Sequence, residues 1–319
     1  MKRQGFTLVE LLVVIAIIAL LMGILMPALS RVRQLAFRLT CGTNLSGLGK
    51  AMMLYANDYQ DELPKAGGRQ NTWVAGLPDW TGGATTQFVG GKRDLAYGVT
   101  SAAAGSLTGK VTVSSSLYLL VKYTECTPKM FVCKGEGDTK EFMLRLYPAN
   151  TAMPDLQSAW DFGPGVASTN PTPTYMFCSY AYQVPFGAFA LTTSAEPGMA
   201  VAADRNPWYT GTDVTAINNR FNNEFRPDLS TYTPPIGTSD QAKRGNSDAH
   251  QQEGQNVLYM DSHVDFEKRS FVGIDNDNIY TRYGTGTPPD RVKGMLPPSQ
   301  QDPGDKRDSF LINDPPRGR

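Results

Sequence analysis

Histidine is nearly absent from this chain of 319 residues: there are two, His250 and His263. A His-based catalytic triad has little to draw on. G-x-S-x-G, H-E-x-x-H and the Walker A lysine motif are missing as well. The sequence therefore reads as non-enzymatic, with a carboxylate-pair hydrolase as the enzymatic alternative. There is no charge excess, since 30 basic residues face 30 acidic ones. No basic block is interleaved with aromatics either, so no nucleic-acid partner is expected. Cysteine is sparse. Cys41, Cys126, Cys133 and Cys178 form no C-x-x-C pair, which argues against a zinc ribbon or a thioredoxin-type site. If most of the chain lies outside the cytoplasm, disulfides are open to it. Cys126 and Cys133 are near enough in sequence to close a short loop, and reduced, buried cysteines are the alternative.

What the chain does have is one long apolar run, from Leu11 to Met26, behind a short basic start with Lys2 and Arg3. Phe6 to Leu29 is 24 residues, about 36 Å of helix, enough for the ~30 Å hydrocarbon layer of a membrane. Glu10 lies inside this segment. An ionised carboxylate at a membrane-helix centre costs roughly 2.5–3.5 kcal/mol, so a plain anchor leaves it unexplained. A cleaved secretory signal is the second reading, with small residues at Ala28 and Ser30, but the run is long for one.

The third reading accounts for every residue. Gly5-Phe6-Thr7-Leu8-Val9-Glu10 and the apolar stretch through Ala19 resemble the class III signal of type IV pilins and type II secretion pseudopilins. The resemblance implies cleavage by a prepilin peptidase between Gly5 and Phe6 and methylation of the new amine at Phe6. Glu10 would then meet the Phe6 amine of a neighbouring subunit, so that two charges costly alone compensate each other and fix register. Pro27 falls where many pilins carry a helix proline. It removes the bond to the carbonyl of Gly23, and a kink between Gly23 and Pro27 is expected. The resemblance also implies other pilin subunits, an assembly ATPase and an inner-membrane platform as partners. It puts the leader in the cytoplasm, a single span in the bacterial inner membrane, and the large domain in the periplasm or beyond. The charges flanking the helix do not fix this orientation. The rival is an extracytoplasmic binding protein or hydrolase that uses the helix only as an anchor in membrane lipid.

Apolar residues continue at helical spacing through Leu29, Val32, Leu35 and Leu39, then Leu45, Leu48, Met52 and Tyr55. One helix from Phe6 to about Tyr59 is expected, or two that break near Gly42. Gly42, Gly47 and Gly49 suit close approach of a sheet. Beyond Pro64 the chain is rich in glycine and proline and reads as loop-connected strands. Leu117–Val121 suggests a short helix. Met130–Cys133, Tyr175–Tyr182 and Met199–Asp204 suggest strands, and Gln255–Phe266 a hairpin turning near Asp261-Ser262. The fold expected is α+β, a long N-terminal helix packed on an antiparallel sheet, as in pilins. The divisions are a leader (1–5), a transmembrane and assembly helix (6–29), its extramembrane half (30–60), a globular head (61–284) and a proline-rich irregular tail (285–319).

The segment from Asn246 to Asp261 resembles the H-X9-DG region of a large bacterial group of pseudopilin-like proteins, as does Asp204-Arg205-Asn206-Pro207. Here ten residues separate His250 from Asp261, and Ser262 replaces the glycine. Asp261, His263 and Asp265 alternate onto one strand face and are candidate metal ligands. The alternative is that they satisfy turn hydrogen bonds. Asp275-Asn276-Asp277-Asn278 has a calcium-loop flavour without the glycine and distal glutamate. No cofactor is required, and calcium is the ion worth testing.

Overall fold

The computed structural model describes residues 8–66, 113–143, 155–162, 174–185, 189, 191–209, 214–229, 237–283, 292–296 and 303–314. Gly5 and Phe6 lie outside these residues.

Helix α1 (Leu8–Asp58) is 51 residues long, about 77 Å at ~1.5 Å per residue. It is unbroken at Gly42, so the two-helix alternative does not occur. The helical assignment also runs through Pro27. The helix ends where Gln60 and Asp61 turn left-handed, with φ of 58° and 61°. The stop thus precedes Pro64 and is made by the backbone.

The C-terminal half of α1 buries Cys41, Leu45, Leu48, Met52 and Tyr55, spaced four and three apart as one helix face requires. That stripe lies on a five-stranded antiparallel sheet of order β4-β3-β2-β1-β5. The strands are β1 (Tyr180–Gln183), β2 (Ala200–Asp204), β3 (Gln255–Tyr259), β4 (Val264–Glu267) and β5 (Leu311–Ile312). Tyr180, Tyr182, Ala202 and Leu258 face α1. Ala181, Ala203, Val257 and Tyr259 face a second core built on Trp208, Phe221 and Phe225. Strands covered on both sides read as continuous apolar runs, which is why β2 shows no alternation. Close approach of helix to sheet needs glycine at one point above all. A Cβ on Gly49 would sit 2.7 Å from Leu258 Cδ1.

The expected hairpin is β3–β4, with Leu258 opposite Val264. The segment expected as a strand from Tyr175 instead begins as a 3-10 helix, Thr174–Phe177, before β1. Met130–Cys133 is not a strand. Pro128 opens a 3-10 helix, Pro128–Phe131, because its fixed φ suits the first helical position. The suggested short helix is α2 (Val113–Tyr123). Its first amides, Val113 N and Ser114 N, donate to Asp314 Oδ1 and Oδ2, both at 3.0 Å. A carboxylate there satisfies orphan donors and complements the helix dipole. Asp314 belongs to the segment expected to be an irregular tail. Residues 303–314 carry little regular structure beyond β5, yet they pack into the head and supply this cap.

The disulfide is Cys41–Cys133, with Cα atoms 5.4 Å apart and a sequence separation of 92. The short Cys126–Cys133 loop does not form, and Cys126 and Cys178 are buried thiols. The bridge ties α1 to the turn after Pro128–Phe131. Closing a loop of this length stabilises by roughly 4–5 kcal/mol on the chain-entropy account.

Candidate functional site

The N-terminal half of α1 projects from the head. No residue from Leu8 to Thr40 is buried, and the segment is long and apolar enough to cross a membrane. Glu10 is exposed in the first turns of this projection. Gly23 has open space around it, with nothing within 4 Å of an added Cβ.

Contact with the head begins at Gln34. Its Nε2 donates to Gln251 Oε1 at 3.0 Å. One turn on, Arg38 pairs with Glu253 and lies over the Phe266 ring, 4.6 Å from the centroid. The guanidinium holds the Glu253 carboxyl below the usual carboxylate range. Gln251 and Gln252 sit at φ of 59°, so a tight left-handed turn presents these side chains to the helix. Asn44 continues the seam, its Nδ2 donating to Val132 O at 3.3 Å and Tyr180 Oη at 3.2 Å. From Gln34 onward α1 is joined to the head by polar contacts, a disulfide and an apolar stripe in succession.

Under that seam lies a buried polar cluster. His250 Nε2 is 3.1 Å from Asp204 Oδ2 and 3.8 Å from Cys133 Sγ. Asp204 Oδ2 also accepts from the Asn256 backbone amide at 2.7 Å and from Asn256 Nδ2 at 3.0 Å. The next residue, Arg205, donates to Cys178 O at 2.6 Å and pairs with Glu136 at 3.4 Å. Burial pushes the Glu136 carboxyl up and the Cys178 thiol up to about 12, so that thiol is inert near neutrality. Asn206 then ties Tyr280 O and Leu311 O together through its Nδ2. Asp204-Arg205-Asn206 is thus a hub whose three side chains each hold a different part of the head. Cys41, Cys133, Asp204 and His250 together form a group with metal-ligand spacing.

The sequence candidates Asp261, His263 and Asp265 do come together at the β3–β4 turn. His263 Nδ1 bonds the Asp261 carboxylate, and His263 Nε2 is 3.9 Å from Asp265 Oδ2. All three are solvent-accessible, and Tyr259 stacks on the imidazole with centroids 4.4 Å apart. The hydrogen bond from His263 holds the Asp261 carboxyl below its usual range. His250 is not part of this group, because β3 carries the chain from the buried cluster out to the exposed turn. Asp275 and Asp277 likewise separate. Asp275 pairs with Arg307 at 2.8 Å on the surface, while buried Asp277 accepts from Ser309 N at 2.9 Å.

Residues 1–26 match the family model described as the prokaryotic N-terminal methylation motif. No curated protein and no solved structure matches the chain. The matched residues include Gly5, Phe6, Glu10 and the apolar start of α1. The match supports a type IV pilin or pseudopilin-like protein. A long apolar N-terminal helix is consistent with anchoring in a membrane.

Proposed function

We propose that this chain is a structural subunit of a type II secretion or type IV pilus-like filament. The observation that carries the reading is the methylation motif at the start of a helix whose apolar half stands clear of the head. Apolar surface of that extent is stable only in lipid or against other helices. Before assembly the helix spans the inner membrane once, with the head in the periplasm or outside. Cleavage after Gly5 exposes a cationic amine at Phe6, which is then methylated. In the staggered helical core of the filament, Glu10 of one subunit meets the Phe6 amine of the next. The work is mechanical, driven by an assembly ATPase acting through a membrane platform, and needs no cofactor in the head.

Mass spectrometry of the mature protein tests the processing step. A methylated N-terminus at Phe6 is expected, whereas an intact Met1, or a start at Arg31, overturns it. Glu10→Ala tests the assembly contact. Removing a carboxylate from lipid leaves insertion intact or improves it, while filament formation is lost. Efficient filament formation by Glu10→Ala would sink the proposed pairing.

A further inference from the structure

Cys41, Cys133, Asp204 and His250 reach one point from four parts of the fold. They come from α1, the turn after Pro128–Phe131, the end of β2 and the 3-10 turn before β3. All four are buried, and one ligand atom from each lies within 4.8 Å of the others. Zinc bonds of ~2.3 Å to sulfur and ~2.0–2.2 Å to nitrogen or oxygen put tetrahedral neighbours roughly 3.3–3.8 Å apart. His250 Nε2 stands 3.8 Å from Cys133 Sγ, inside that range, and 3.1 Å from Asp204 Oδ2, the oxygen beside the one left open for an ion.

Asp204 is fully buried, and its Oδ1 has no hydrogen-bond partner. An unsatisfied buried carboxylate oxygen is costly unless something fills its place. The other oxygen, Oδ2, is held by the Asn256 backbone and side-chain amides. This is the outer-shell support that orients a ligating carboxylate. His250 also lines a cleft of about 240 Å³ beside α1, shared with Arg33, Phe37 and Gly135.

We propose that the dithiol form of this chain binds a zinc-class divalent ion through Cys41, Cys133, Asp204 and His250, and that metal and disulfide are mutually exclusive states of one site. On binding, the two thiols release their protons to solvent and the sulfurs ligate as thiolates. His250 carries its proton on Nδ1 and ligates through Nε2. Conversion to the disulfide forms the Cys41–Cys133 S–S bond and breaks that of a disulfide oxidant, which takes the two electrons and two protons from solvent and leaves as two thiols, and the ion departs with its sulfur ligands lost. Two thiolates, one carboxylate and a divalent ion sum to one negative charge. Arg205, buried and next to Asp204 in the chain, puts a cation beside this charge. Either state fastens α1 to the head at the same place.

Cobalt(II) is the probe, added to the full chain in detergent after reduction with a phosphine, which contributes no thiol. Stoichiometric uptake is expected, with the intense visible bands of tetrahedral cobalt and thiolate charge transfer in the near ultraviolet. Cys126→Ala/Cys178→Ala retains both signals. His250→Gln or Asp204→Asn in that background weakens cobalt binding by roughly tenfold or more. The disulfide form takes up none. The absence of cobalt–thiolate bands from the reduced wild-type chain overturns the proposal whatever the variants do. So does equal uptake by the oxidised chain, or unchanged affinity in both variants.

Discussion

Asp308 shows how much one side chain contributes near the end of the chain. Its Oδ2 accepts from Tyr283 N at 3.0 Å and from Gly304 N, and its backbone carbonyl accepts from Gln183 Nε2 at 2.8 Å. Burial pushes its carboxyl up from 3.8 to about 7. Between those limits the folded chain keeps a proton that the unfolded chain has released. The stabilisation from this group is complete below the unfolded value and is lost as pH rises through about 7. Asp308→Asn, which stays neutral throughout, should flatten that part of the stability curve and gain on the wild type above neutrality. Thermal midpoints across a pH series from the carboxylate range to mildly alkaline check this; parallel curves for the two proteins would refute it. Nothing in the sequence marks Asp308, because its perturbation comes from burial beside β5. The two histidines teach the same lesson from the other side. They are close in sequence, yet the path of β3 leaves one buried against Asp204 and the other on an exposed turn.

At the scale of elements, α1 was legible along its length because apolar spacing reports a helix face directly. The Leu45, Leu48, Met52, Tyr55 stripe is the buried face. The same spacing through Leu29, Val32, Leu35 and Leu39 is exposed, since pattern alone does not say what covers a face. The hairpin was legible from its strands and turn residues. The disulfide was not, because partners 92 residues apart meet only after the helix has docked. The docking itself depends on Gly49, where a Cβ would come within 2.7 Å of Leu258 Cδ1. Gly49→Val should cost roughly 1–3 kcal/mol of overpacking, partly offset by its better helix propensity. Adding Leu258→Ala should recover part of the loss. Denaturant unfolding of the single and double variants measures this coupling, and strict additivity of the two changes would mean the helix and sheet do not meet there as described.

For the molecule as a whole, the lack of burial along the projecting half of α1 predicts that the head does not need it. No residue from Leu8 to Thr40 is buried, and the first contacts with the head are those of Gln34 and Arg38. A chain beginning at Ser30 therefore keeps the Gln251 and Glu253 contacts, the Cys41–Cys133 bridge and the whole buried stripe. Among the described residues it loses Glu10 and an exposed apolar run that water does not tolerate. Such a chain should be monomeric without detergent and melt within roughly 2–4 °C of the full chain, the shift that about 1 kcal/mol makes in a domain of this size. Its helical circular dichroism should fall by the share that the removed turns contribute. Sedimentation and thermal melts decide the matter. A trimmed head that aggregates or melts far lower would mean that the projecting half of α1 stabilises the fold, and that its apolar face is not held in reserve for lipid and neighbouring subunits.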